Sequence, residues 1–328
     1  MASLLVSPYG SWKSPIGAEL VAAGEIGLEQ LKVDGGDIYW IERRAQEGGR
    51  KVIVRRSAAG KVTDVTLAGF NARTRVHEYG GGDYAVANGQ VVFANFTDQR
   101  LYLQEVGSEP KPLTPEASLR YADGQIDQRR NLFFCVREDH SGAGEAVNTL
   151  VRIHLIGGES TTVLLSGNDF YSSPRLSPDG SHLAWLTWNH PNMPWDGTEL
   201  WVGTLTDDGS MAKTYRIAGG GDESICQPEW SPNGGLHFVS DRTGWWNLYR
   251  WRDNQIEPLC PMDAEFGQPH WVFGASYYAF ASEQTIVCTY TDDGCDYLAT
   301  LDTKTSSLAR IDVPFTSISQ VHCSADRV

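Results

Sequence analysis

The chain of 328 residues is 41% apolar, 21% charged and 11% aromatic, a globular composition that excludes an extended disordered chain. Its net charge of −14, with no Lys/Arg cluster to offset it, speaks against nucleic acid and anionic membrane surfaces as partners, because both require a basic footprint. No run approaches the roughly 20 apolar residues that span a bilayer.

The start, Met1-Ala2-Ser3-Leu4-Leu5-Val6, has neither the basic opening nor the long apolar core of an export signal. Six cysteines (Cys135, Cys226, Cys260, Cys288, Cys295, Cys323) are scattered without a C-x-x-C pair and read as buried thiols, so a cytoplasmic location is expected. Residues 1–25 read as a lead-in and 26–328 as one domain. Gly17 to Leu31 is the one stretch with any helical character, and it is short and glycine-interrupted.

From there the pattern is short apolar or alternating runs, such as Ile38–Ile41, Val52–Val54 and Val62–Leu67. Asp-Gly or Asn-Gly pairs punctuate them at Asp34, Asn88, Asp123, Asp179, Asp196, Asp208, Asn233 and Asp293. Such pairs favour tight hairpins because both central residues need positive φ. One phrase recurs. Leu176-Ser177-Pro178-Asp179-Gly180 precedes the strand His182–Leu186, and Trp230-Ser231-Pro232-Asn233-Gly234 precedes Leu236–Ser240. After the second copy, Trp246–Trp251 and Ile256–Cys260 supply two more strands. Four antiparallel strands in roughly 40 to 55 residues make one propeller blade.

On that rule the chain divides at 26–68, 72–114, 119–166, 170–218, 224–261 and 267–313. The expected fold is an all-β propeller of six complete four-stranded blades, with Ile318–His322 as the first strand of a seventh. A blade needs a neighbour on each face, so with a ring ending one strand into a blade either the N-terminal strand completes that blade or the chain has been cut from a seven-bladed parent, and the cut is the favoured expectation. A β-sandwich would lack the recurrent turn, and a β-helix coil is far shorter.

Several phrases are more specific than propeller patterning. They are Tyr9–Pro15, Arg75-Val76-His77-Glu78-Tyr79-Gly80-Gly81-Gly82, Arg137–His140, Ser173–Gly180, Trp188–Asp196, Gln227–Trp230 and Ser240–Tyr249. Together they resemble the N-terminal propeller of the prolyl oligopeptidase family, in its dipeptidyl-aminopeptidase and acylaminoacyl-peptidase-like branch. The resemblance covers essentially the whole chain, departing at Glu42-Arg43-Arg44-Ala45, where such proteins often have Pro after the Arg. It implies a propeller that gates an α/β-hydrolase domain of the same parent chain and helps bind the end of a peptide substrate.

The chemistry of bond cleavage is not legible in the chain itself. A serine peptidase needs a G-x-S-x-G elbow followed by Asp and His. The nearest approach, Gly274-Ala275-Ser276-Tyr277-Tyr278, ends in Tyr and continues as strand. No catalytic residue, metal site or cofactor is therefore expected. Asp207-Asp208-Gly209 and Asp292-Asp293-Gly294 lack the remaining acids of a calcium loop and read as hairpin turns. Gly80-Gly81-Gly82 and Gly219-Gly220-Gly221 lack the strand–helix frame of a phosphate loop and read as turns between blades.

Candidate substrate-binding residues are Glu78, Tyr79, Glu138 and Asp139. In the resemblance, propeller acids hold a free α-amino group by charge-assisted hydrogen bonds. The plain alternative is an ion pair between Glu78 and Arg75 or another blade's Arg. Nine of the eleven Trp lie between Trp185 and Trp271, where they either fill the core or form an aromatic rim. The Pro-rich insert Asn189–Gly197 makes Trp188, Met193 and Trp195 candidates for a domain interface or cavity wall. Asp241 and Arg242 would order the same rim, or simply close a hairpin turn. A free-standing protein-binding scaffold is the competing function.

Overall fold

The computed structural model describes residues 6–22, 24–157, 160–324 and 327–328; most of the stretch on which the leader reading rests, residues 1–5, lies outside them. Six four-stranded antiparallel sheets, each in sequential strand order, form a six-bladed β-propeller. The blades span 26–64, 84–112, 119–165, 170–219, 225–258 and 278–311. Among the described residues helix is confined to Ala18–Ala22 and one 3-10 turn, and from Ile26 the expected helical stretch Gly17–Leu31 is part of the first strand, Ile26–Asp34.

The repeated Ser-Pro-Asp/Asn-Gly phrase folds the same way twice. Ser177 donates its hydroxyl to the Asp179 carboxylate at 2.6 Å, and Gly180 N–H closes the turn on the Ser177 carbonyl at 2.8 Å. Ser231 repeats both bonds with Asn233 and Gly234 at 2.7 and 2.9 Å. Asn88-Gly89 and Asp293-Gly294 form two-residue hairpins with both φ positive. Asp123-Gly124 does not. It sits inside the inner strand Leu119–Asp127 as a bulge, with the Phe133 ring lying where a Cβ on Gly124 would go.

That bulge belongs to a series. The inner strands of blades 1, 3, 4 and 5 each shift register beside a left-handed residue, at Gln30, Asp123, Ser173 and Gln227. The bulge residue's side chain then clamps the next blade. Asp83 N–H donates to the Gln30 carboxamide at 2.8 Å, Ser173 N–H to the Asp123 carboxylate at 2.6 Å, and Tyr277 N–H to the Gln227 carboxamide at 2.6 Å. Two residues further along, Lys32, Arg175 and Glu229 converge on the channel. Arg175 bridges Asp123 at 3.2 Å and Glu229 at 2.9 Å, tying blades 3, 4 and 5 together. Between successive blades from 1 to 6, five apolar clusters fill the interfaces.

The expected strand Ile318–His322 pairs into no ladder, so the seventh blade it would begin is not formed. Isolated bonds hold it along blade 6 instead: Val321 N–H to the Ser276 carbonyl at 3.1 Å, and Ile318 N–H to the Asp296 carboxylate at 2.9 Å. All six cysteines are free thiols; Cys135, Cys226 and Cys288 are buried, while Cys260, Cys295 and Cys323 are only half-buried. No helix among the described residues is long and apolar enough to cross a membrane.

Candidate functional site: an aromatic cavity at the channel mouth

Two blades start later than the strand pattern suggests, blade 2 at Tyr84 and blade 6 at Tyr278. The residues left over, 72–83 and 267–277, are the ones that build the site. They meet in a parallel bridge between Gly81 and Phe273, with Phe273 N–H donating to the Gly80 carbonyl at 3.1 Å. Glycine is required here: Gly80, Gly81 and Gly82 all have positive φ, and a Cβ on Gly82 would lie 2.8 Å from the Asp123 backbone. This agrees with reading the glycine run as a turn between blades.

Beside this clasp lies a cavity of about 430 Å³. Glu138, His140, residues 144–146 and Asn148 of blade 3, with residues from 169–173 at the start of blade 4 and from the insert 186–195, complete its wall. Aromatic rings dominate. Trp188 stacks on Phe170 at 5.3 Å, His77 packs against Phe170, Trp188 and Phe273, and Trp195 meets Trp271 at 4.2 Å. Tyr79 stands at the mouth, edge-on to Trp271 at 5.6 Å. Trp188 is thus buried wall rather than exposed rim, whereas Met193 is 41% exposed.

The acids are mostly spoken for. Glu138 is buried; one oxygen accepts His77 N–H at 2.7 Å and the other faces His140 Nε2 at 2.9 Å and Arg120 at 3.7 Å. Glu78, at the rim, takes Arg120 at 2.6 Å and Arg75 at 3.6 Å, and the Arg120 hydrogen bond holds its carboxyl below the usual range. The ion-pair alternative for Glu78 describes this geometry. Through these contacts Glu138 and Arg120 pin His77 and Glu78, two consecutive left-handed residues, in place.

Asp139 is not in the wall. It turns back on its own loop, accepting the Ser141 N–H and hydroxyl at 2.9 and 2.6 Å, and these bonds lower its pKa. Asp241 and Arg242 do not line the cavity either. Gly244 N–H bonds to the Asp241 carbonyl at 2.7 Å, so the segment closes a turn, with Arg242 paired to Glu223 at 2.8 Å. Asp241 reaches the rim indirectly: its carboxylate takes Ser224 N–H at 2.7 Å, and the Ser224 hydroxyl holds the Pro194 carbonyl at 3.0 Å.

Sequence reasoning missed His140, His270, Phe273 and Tyr277 as wall residues, and Arg175 and Gln227 at the floor. The blade frame contained the signal, because every inner strand enters from the same rim; placing blade 6 at 267 hid the loop. Ser276 offers no nucleophile geometry. Its hydroxyl donates to the Val321 carbonyl at 2.6 Å, and no imidazole lies within hydrogen-bonding distance of it. Among the described residues, no group of three His, Cys, Asp or Glu side chains is placed to hold a metal.

Burial lowers four imidazoles below the usual histidine range: His77, His237 and His270 (the last two near 4) and His322 (near 3). The unfolded chain therefore binds more protons than the folded one between about 6.5 and 4. Stability will rise with pH across that window and fall as it is acidified. Urea midpoints measured from pH 7 to pH 4 will decline, and the decline will be shallower in His270→Phe, which has one fewer group to protonate.

The fold and this cavity define a β-propeller domain with an aromatic chamber where the inner strands begin. No family model and no curated protein matches the chain. Among solved structures, a puromycin hydrolase complexed with PGG superposes with a TM-score of 0.89 at 35% identity, over 97% of this chain and 52% of that one. A puromycin-hydrolyzing peptidase of Mycobacterium tuberculosis follows with 0.86 at 37%, over 94% and 50%. Prolyl oligopeptidase B from Galerina marginata, at 13% identity and 0.65 over 92% and 46%, shares the fold. The chain spans about half the length of the peptidases it matches. The match fits the propeller part of a prolyl oligopeptidase-family peptidase.

Proposed function

We propose that the chain is the substrate-selecting propeller half of a cytoplasmic serine peptidase, its aromatic cavity forming one wall of a chamber that an α/β-hydrolase domain closes. The observation that carries this reading is the position of the cavity, on the rim where all the inner strands begin, in a chain 35 to 37% identical to the propellers of two puromycin-hydrolyzing enzymes. The parent then cleaves short peptides or peptide-like amides, and the ring of blades limits what can enter. Tyr79, Met193, Trp195 and Trp271 supply apolar contact at the mouth. Glu78, exposed at the rim, meets a substrate ammonium by exchanging one Arg120 contact, while Glu138, and Asp139 at the end of the same strand, hold that edge in position.

The coding sequence past codon 328 tests the reading. A G-x-S-x-G segment followed by Asp and His is the expected result; a stop codon there would favour the free-standing scaffold. The chain of 328 residues by itself should take no label from a fluorophosphonate probe, and labelling of Ser276 would contradict the division of labour.

A further inference from the structure

Among the described residues, 6–22 form no hydrogen bond with the blades. The shape of this lead-in comes from bonds within it. Ser11 donates its N–H and its hydroxyl to the Pro8 carbonyl at 3.1 and 2.8 Å, closing a turn in which Gly10 takes a φ of +78°. Trp12 Nε1 donates to the Ser7 carbonyl at 2.9 Å, and Ile16 N–H to the Ser14 hydroxyl at 3.0 Å. The short helix Ala18–Ala22 follows.

What this hook presents is apolar. Val6, Tyr9, Trp12, Ile16, Leu20 and Val21 are all exposed, Tyr9 fully and Trp12 at 68%. Lys13 and Glu19 are its only charged residues, so it is neutral in a chain of net charge −14. The apolar stretch continues into blade 1, whose first strand leaves Ile26 and Leu28 exposed. That strand starts on the rim where the chamber opens, and Tyr79, Trp271 and Val272 are exposed at the chamber mouth. Large apolar side chains exposed in succession mark a surface that another body covers.

The match to a puromycin hydrolase bears on which body that is. It covers 97% of this chain, more than residues 26–328 make up, so the shared architecture takes in part of the lead-in, in a chain about twice as long. A neutral hook with its turn already formed suits an apolar groove, since it brings little charge to desolvate and little freedom to lose.

Resting on the reading of the chain as the propeller half of a peptidase, we propose that residues 6–22 dock on the α/β-hydrolase half of the same parent, with Tyr9 and Trp12 as the anchors. The lead-in then works as a strap. It holds the hydrolase half over the chamber rim at a second point, away from the covalent connection that follows the last blade.

Hydrogen exchange of the full-length parent, compared with that of the 328-residue chain, tests this. Residues 6–22 should exchange fast in the chain and at least about tenfold more slowly in the parent. In the parent, Tyr9→Ser combined with Trp12→Ser should return the segment to the fast rate while the blades keep their protection. The same pair should leave the urea midpoint of the 328-residue chain unchanged, because Tyr9 is fully exposed and Trp12 hydrogen-bonds only within the lead-in. Equal exchange of residues 6–22 in the two native proteins would overturn the proposal. So would slowing in the 328-residue chain that grows with its concentration, which would make a second copy the partner. The native comparison decides even if the double variant does not fold. Neither contrary result touches the chamber reading in a parent that hydrolyses peptides, whereas a parent with no hydrolase half would remove both.

Discussion

Arg175→Leu will unfold at a markedly lower urea concentration than the native chain, with a loss of about 3–5 kcal/mol. The guanidinium is largely covered and reaches carboxylates in two neighbouring blades, of which Asp123 is nearly fully buried. Removing it leaves that carboxylate in the channel wall without its cation. The Ser173 N–H bond to Asp123 remains, which offsets a part of the cost. Adding Asp123→Asn to Arg175→Leu should recover some stability, because the unpaired charge goes with it. Urea midpoints of the two variants and the native chain give the comparison; a single variant within 1 kcal/mol of native would show that water in the channel serves as well as the arginine does.

Gly81→Ala should cost about 3 kcal/mol or more, and should also distort the cavity. Its φ is +87° and the new Cβ would press on the backbone oxygen and nitrogen of Phe273, which no side-chain rotation can relieve. Gly35→Ala is the control: its φ is also positive, at +59°, but nothing lies within 4 Å, so it should cost about 1 kcal/mol. The difference isolates the close approach from the backbone preference. Because the Gly81–Phe273 bridge positions the wall, binding of aromatic amides should weaken in Gly81→Ala and remain native in Gly35→Ala.

The blades were legible because each repeats a local rule that short-range chemistry dictates. Ser177 and Ser231 begin the same turn for the same reason, and alternating apolar runs on either side leave little freedom in the strands. Asp123-Gly124 shows where local rules mislead. The pair that favours a hairpin was used for a bulge, because neighbouring blades need the Asp123 carboxylate facing Ser173 and Arg175. Nothing within a few residues of Asp123 encodes that need.

The site was half legible. The run from His77 to Gly82 stood out as polar groups abutting glycines, and its first four residues, His77 to Gly80, line the chamber. Trp188 and Trp195 were recognisable as aromatic wall, but their burial depends on Phe170 and Trp271, which approach from other blades. Asp139 looked equivalent to Glu138, yet alternation along the strand sends neighbours to opposite faces, and only Glu138 turns inward. His270 carried no sequence signal, since its lowered pKa comes from burial that only the folded chain supplies.

Hydrogen exchange of the 328-residue chain, with and without a short aromatic peptide amide, tests most directly whether the chamber is where ligand binds. Slowed exchange should concentrate in residues 74–83, 138–148, 186–195 and 267–277. Unchanged exchange in those four segments, or slowing confined to the groove beside Trp230 and Trp251, would contradict it.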